Sequence, residues 1–209
     1  MRTLVIAVVI FMIFFHGSLQ ANSQEPCHWL NVDYTRTCGA VENRKNLFRL
    51  QEKDDCATME IAAESFWNAS GIVFEKDVSY RIEVEDPKAK WTDATIDTTA
   101  KGWYLEGTQP NDEICHGKGI SVGSLQRVFI NGTKWLRRAP DHDWFCLIGI
   151  VKGEREEQFA IGTKTDDFKP YTEGEFCSFA NDLSFMYFNN SGSLQLTITR
   201  LTQSKEKIK

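Results

Sequence analysis

Basic runs are scarce in this sequence: nothing longer than Arg137-Arg138 occurs among 209 residues that carry 24 Lys plus Arg against 29 Asp plus Glu. A formal net charge of -5 gives no electrostatic footprint for a phosphate backbone, which excludes nucleic acid as a partner. Proline is also rare, at 5 residues, and neither a low-complexity linker nor an internal repeat is present. With 42% hydrophobic and 12% aromatic residues there is ample apolar surface to bury, so the chain reads as one folded domain with an extension rather than a disordered one.

Long hydrophobic runs are limited to one. Leu4 to Phe15 is an unbroken apolar stretch, preceded by Arg2 and followed by His16-Gly17-Ser18 and Leu19-Gln20-Ala21. A transmembrane helix needs roughly 20 apolar residues, so residues 1–21 are expected to be a secretory signal peptide cut after Ala21. The remainder is then an exported protein, secreted or periplasmic, without an integral membrane segment. All six cysteines (Cys27, Cys38, Cys56, Cys115, Cys146 and Cys177) come after the expected cut. An even count in an exported chain points to disulfide bonds. Six cysteines allow 15 pairings, which the sequence does not choose among, although Cys27 and Cys38 are near enough to close a short local loop. No C-x-x-C pair is present, and Cys27-His28 and Cys115-His116 lack the spacing of zinc ligands. Glycosylation sequons occur at Asn68, Asn131 and Asn189.

Beyond the leader, strand signals dominate. Tyr80 to Glu85 and Leu194 to Arg200 alternate with period two. Phe145 to Val151 is a continuous apolar run joined by the charged link 152–157 to Gln158 to Gly162, which fits a buried central pair. Leu125 to Ile130 ends in Asn131-Gly132, a tight-turn signal, and Glu175 to Ala180 is a further strand. Helical periodicity is weak, its best instance being Asp55 to Phe66, where Ala57, Ile61 and Ala62 share a face. Short strands between turns predict an all-β fold, a β-sandwich of jelly-roll type, over residues 57–203. Residues 22–56 lack sustained alternation and hold three cysteines, so they are expected to form a disulfide-pinned extension. Residues 204–209 form a polar tail.

Three places carry candidate chemistry. Asp182, Asn189 and Asn190 lie in one Asn- and Ser-rich connection before the last strand and supply hard oxygen ligands of the kind calcium prefers; the competing reading is ordinary turn chemistry. Cys115-His116, with His142 and Asp141 or Asp143, holds the ingredients of a nucleophilic Cys-His-Asp site, but an oxidised Cys115 would abolish it. Trp91, Trp103, Tyr104, Trp135 and Trp144 could stack on sugar rings or anchor a core, with Trp103 and Tyr104 expected to be exposed in a polar loop.

The run Asn181-Asp182, Tyr187 and Asn189-Asn190-Ser191-Gly192-Ser193, leading into an alternating strand, resembles the end of the bacterial calcium-dependent galactophilic lectins of the PA-I type. Trp67-Asn68-Ala69-Ser70-Gly71-Ile72 is similar to the opening segment of that family, and Trp91-Thr92-Asp93 to its turn after the next strand. Leu147-Ile148-Gly149 and Phe159-Ala160-Ile161-Gly162 are similar to its paired central strands. The resemblance spans roughly Met59 to Arg200. It implies a galactose-binding-like sandwich in which one Ca2+ bridges protein and sugar. The ion would be held by side-chain oxygens of Asp182, Asn189 and Asn190 and by backbone carbonyls of Met186 and of Asp93 or Ala94. Asp141 and His142, in the region of that family's specificity loop, and Trp103 and Tyr104 become candidate sugar contacts. Asp97 to Gly123 is insertion-like against the same pattern. The function expected is calcium-dependent binding of a galactose-like carbohydrate, non-enzymatic, with oligomerisation left open. The competing reading is a metal-free envelope or interaction module of the same fold.

Overall fold

A computed structural model describes residues 27–30, 47–153 and 155–202. The expected leader, Cys38 and the C-terminal tail lie outside them. In chain order, β1 (His28–Trp29) and β2 (Cys56–Ala62) are followed by β3 (Asn68–Phe74), β4 (Tyr80–Val84), β5 (Trp91–Asp93), β6 (Ile96–Thr98), β7 (Lys101–Leu105) and β8 (Lys118–Ile120). One helix, α1 (Ser124–Thr133), precedes β9 (Trp144–Lys152), β10 (Glu156–Ala160), β11 (Lys164–Phe168), β12 (Gly174–Ala180), β13 (Asn190–Ser191) and β14 (Ser193–Arg200). The fold is an all-β sandwich. One sheet has the order β1-β2-β14-β4-β11; the other runs β3-β12-β9-β7-β8, with β10 also paired to β9. A small third sheet, β13-β5-β6, carries the candidate site.

The burial pattern comes from the period of two. In β4, Tyr80, Ile82 and Val84 point inward, and in β14, Leu194, Leu196, Ile198 and Arg200 do the same while Ser193 and Gln195 face water. The first sheet is thus one-sided, as antiparallel sheets commonly are. The second sheet is buried on both faces. Along β9, Phe145, Leu147 and Val151 join the core shared with the first sheet, whereas Cys146, Ile148 and Ile150 join a second cluster with Ala69, Cys177 and Phe179. That double burial is why this strand reads as a continuous apolar run. The second face is closed by Ala139, Trp67 and the Cys115–Cys146 disulfide.

Burial also forces partners on the polar groups that enter the core. Arg200, 1% exposed, is held by Glu75 at 2.7 Å and by the Leu50 carbonyl at 2.7 Å. Asn68, fully buried, makes reciprocal bonds with the backbone of Ala62, which puts its sequon out of reach of solvent.

Several expectations are corrected by the structure. Leu125 to Ile130 belongs to helix α1, not a strand. Its apolar residues recur at three and four positions (Leu125, Val128, Phe129), and the Gln126 side chain accepts a hydrogen bond from the Gly123 N–H at 3.2 Å, closing the first turn. Asn131-Gly132 is absorbed into the last turn of that helix, which runs on into a 3-10 turn over Lys134–Leu136. The weak helical signal over Asp55 to Phe66 is strand β2: Ala57, Met59 and Ile61 alternate and pair with β14. Cys27 bonds to Cys56 rather than closing a local loop with Cys38, and it brings β1 alongside β2 in parallel. Cys177 is disulfide-bonded as well. The insertion-like stretch 97–123 places Trp103 and Tyr104 in a strand and not in a polar loop, since it contributes β7 and β8 to the second sheet, with the polar connection 106–117 between them. Trp103 within it is 3% exposed, stacked on Trp144 with ring centroids 5.5 Å apart. Gly102 makes that stacking possible: its φ is +74°, and a Cβ there would fall 2.1 Å from the Trp144 carbonyl oxygen.

Candidate functional site

The small sheet brings two distant parts of the sequence together. Asn190 is paired with Asp93, and Ser191 with Thr92, in the antiparallel ladder of β13 and β5. Asp93 and Ile96 face each other across a two-residue turn in which Ala94 has φ +53°. Such turns ordinarily put glycine at a left-handed position, so a β-carbon there is a local strain of the kind that gathers at ligand sites. The Ala94 N–H donates to the Asn189 carbonyl at 3.2 Å, fastening the turn to the 182–190 connection.

That connection starts from Asn181, whose fully buried amide holds four backbone groups. It accepts from Ala139 N–H at 2.9 Å and donates to the carbonyls of Ala139, His142 and Asp143 at 2.8, 3.1 and 2.9 Å. Asp182 comes next, with one carboxylate oxygen accepting from its neighbour Leu183 N–H at 2.6 Å and the other from Asn190 Nδ2 at 3.1 Å. Tyr187 donates its hydroxyl to the Ala180 carbonyl and accepts from Arg138 at 3.0 Å. The Arg138 guanidinium lies 3.7 to 4.0 Å from the ring centroids of Phe179, Phe66 and Trp67, and its backbone N–H donates to the Asp182 carbonyl. Aromatic faces and hydrogen bonds together fix where Asp182 stands.

Two carboxylates share the buried end of this site. Asp93 is 9% exposed and accepts from Trp103 Nε1 at 2.9 Å. Burial, and then the charge of Asp182, push its carboxyl up to about 6, against the Trp103 bond that favours ionisation. Asp182, 3% exposed, is likewise raised by burial, with the Leu183 and Asn190 bonds opposing. Beside these two carboxylates the side-chain oxygens Oδ1 of Asn189 and Asn190 are buried without a hydrogen-bond partner. Asp93, Ala94, Asp182, Met186 and Asn189 all line one cavity of about 750 Å³, and Asn190 reaches it through Asp182.

The remaining sequence candidates are distributed differently. Trp103 lines the cavity as a buried support of Asp93, and Tyr104 packs its ring on His116 at 5.4 Å. Asp141 and His142 do not line the cavity. His142 Nδ1 instead meets Asp112 at 2.5 Å, a partner that no local pattern announces, because the two lie 30 residues apart in the chain. Asp112, Cys115 and His142 gather their ligating atoms within 4.8 Å. The Cys115 sulfur, however, is bonded to Cys146, so it offers neither a thiolate ligand nor a nucleophile, and the Cys-His-Asp arrangement has no attacking group. Two contributors escape sequence reasoning: the carboxylate of Asp93, expected to act only through its backbone, and the wall supplied by α1. Alternation in Trp91-Thr92-Asp93 is the available signal for the first, since it buries positions 91 and 93 together.

Among the described residues no helix is long and apolar enough to cross a membrane. No family model matches the chain, and no curated protein matches it. Among solved structures it is similar to the N-terminal domain of EclA, described as a PllA-like lectin, with 13% sequence identity, 68% of this chain and 94% of that chain covered, and a TM-score of 0.44.

Proposed function

We propose that the protein is an exported, non-catalytic carbohydrate-binding module that holds one calcium ion at the Asp93–Asp182 cavity and, through it, a galactose-like sugar. The observation that carries this reading is the meeting of two buried carboxylates with two buried amide oxygens that have no partner. Buried like charges are costly and buried acceptors without donors are rare, and a hard cation relieves both conditions at once. Asp182, Asn189 and Asn190 would hold the ion through side-chain oxygens, and Met186 with Asp93 or Ala94 through backbone carbonyls. The Asp93 carboxylate adds a second negative charge close by. When bound, calcium supplies exchangeable coordination positions at which a vicinal diol can replace water without changing the hard-oxygen character of the shell. The protein's part is to keep the oxygens in place, which the Asn181 network and the Arg138 aromatic box do.

Calorimetric titration with calcium tests this reading, together with glycan binding measured with and without chelator. Affinity in the ~10⁻⁴ M class of extracellular modules is expected. Asp182→Ala should abolish calcium binding, while Asn189→Ala and Asn190→Ala, each removing one neutral oxygen, should weaken it in part. No heat with calcium, or sugar binding indifferent to chelator, would refute the reading and leave the metal-free interaction module in its place.

A further inference from the structure

Helix α1 departs from what an amphipathic helix in a globular protein ordinarily does, which is to bury its apolar stripe against the core. None of its residues is buried, and Leu125 and Phe129 are 87% and 58% exposed. Its placement explains what that stripe faces. Leu125, Phe129 and Thr133 succeed one another at intervals of four, with Gln126 and Ile130 alongside, and all five line the cavity that holds Asp93 and Asp182. Ile96, Ile120, Val122 and Met186 extend the apolar lining, and among the described residues Asp93 and Asp182 are its only charged members. The site therefore has a carboxylate end and an apolar remainder. Its volume of about 750 Å³ is more than one pyranose ring requires, and the exposure of Leu125 and Phe129 makes it a groove open to solvent along α1.

We propose that this cavity takes an amphiphilic glycoside, with a neutral sugar at the Asp93–Asp182 end and an alkyl or aryl aglycone laid along the Leu125–Phe129 face of α1. The inference rests on the carbohydrate reading and adds to it the class of the aglycone. A neutral head is specified because the lining offers no Lys or Arg to meet a phosphate or sulfate, which would face two carboxylates instead. An apolar aglycone is specified because covering Leu125, Phe129 and Ile130 removes hydrocarbon from water, a gain that grows with the area covered. A bare monosaccharide would leave that face wet.

The test compares n-octyl and methyl β-glycosides, each as the galactoside and the glucoside, titrated calorimetrically against the full chain with calcium and below the octyl glycosides' micelle concentration. The octyl form of the preferred sugar should bind at least tenfold more tightly than the methyl form, and Phe129→Ser or Leu125→Ser should remove that advantage. Both side chains are exposed, so neither variant should lower the melting temperature. Displacement of N-phenyl-1-naphthylamine from the wild-type protein by octyl but not methyl glycoside would support the same conclusion without a variant. Equal affinity for the two glycosides, or an octyl advantage that survives Phe129→Ser, overturns this inference and leaves calcium-dependent sugar binding standing. Octyl binding that depends on Phe129 yet ignores chelator, with no methyl glycoside binding, supports the apolar half of the cavity and overturns the calcium reading. No binding of either glycoside overturns both.

Discussion

Asp93→Asn is the substitution that most directly tests how the site is built. In the folded protein the Asp93 carboxyl is pushed up to about 6 by burial and by the neighbouring Asp182; in the unfolded chain it returns to the ordinary value near ~3.9. A raised acid binds protons more tightly when folded, so between about pH 4 and 6 the native state holds more protons than the unfolded one and stability falls as pH rises. A separation of roughly two pKa units at ~1.36 kcal/mol each corresponds to about 3 kcal/mol of native stability, fully present below pH 4 and lost above pH 7. Asparagine retains an oxygen that can accept from Trp103 Nε1 and cannot ionise. In chelator, the variant should therefore match wild type at pH 4 and exceed it by about 3 kcal/mol at pH 7.5. Urea denaturation across this range measures the difference directly; titrations remote from Asp93 cancel between the two proteins, whereas that of Asp182, whose charge acts on Asp93, does not. Calcium should narrow this gap at pH 7.5: at a hundred times its dissociation constant it stabilises wild type by about 2.7 kcal/mol, and less in the variant, which has lost a charge at the site. A difference between the two proteins that does not change with pH would refute the argument that Asp93 is held against its ionisation.

How much of this was legible in the sequence depended on whether local pattern and tertiary demand agreed. β4 and β14 alternate because each has one wet face, and the apolar run of β9 is continuous because the second sheet is covered on both sides; in both cases residue type reports burial directly. The segment Leu125 to Ile130 misled because a short apolar run fits either period, and Asn131-Gly132 signals a turn without saying whether it joins two strands or ends a helix. Cys27 pairs with Cys56 and not with its nearer neighbour because the parallel contact of β1 with β2 decides which sulfurs meet, and sequence distance does not carry that information. At the candidate site, Asp182, Asn189 and Asn190 stand in one segment, so their proximity was visible. What was hidden was the closing strand. Asp93 comes within reach only through the ladder of β5 with β13, far apart in the chain, and the same long-range closure brings Trp103 and α1 to the cavity.

Two other perturbations test the framework around the site. Reduction of Cys27–Cys56 should release residues 27–30 from β2 before the sandwich unfolds, since such a bond commonly contributes about 2–5 kcal/mol in small exported domains; limited proteolysis with and without reductant would show early cleavage near Cys27, and equal resistance would count against the staple. Arg138→Met tests how the 182–190 connection is held. The substitution keeps a long apolar stem among Phe66, Trp67 and Phe179 but removes the cation from their faces and the hydrogen bonds to Tyr187 and the Phe66 carbonyl. Burial lowers the pKa of this guanidinium and so weighs against its charged form, which means that the loss of attraction is partly offset by the removal of a desolvated charge. The net cost is about 1–2 kcal/mol, or a few degrees of melting temperature at this chain length. Arg138→Lys keeps the cation but not the planar fork, and should recover part of the stability without the Tyr187 bond. Calcium affinity should fall in the methionine variant although no proposed ligand is touched, because the Tyr187 hydroxyl then keeps only its bond to the Ala180 carbonyl, while the bond from the backbone N–H of residue 138 to the Asp182 carbonyl remains. A methionine variant with wild-type melting and wild-type calcium affinity would mean that the aromatic box shapes neither the sandwich nor the site.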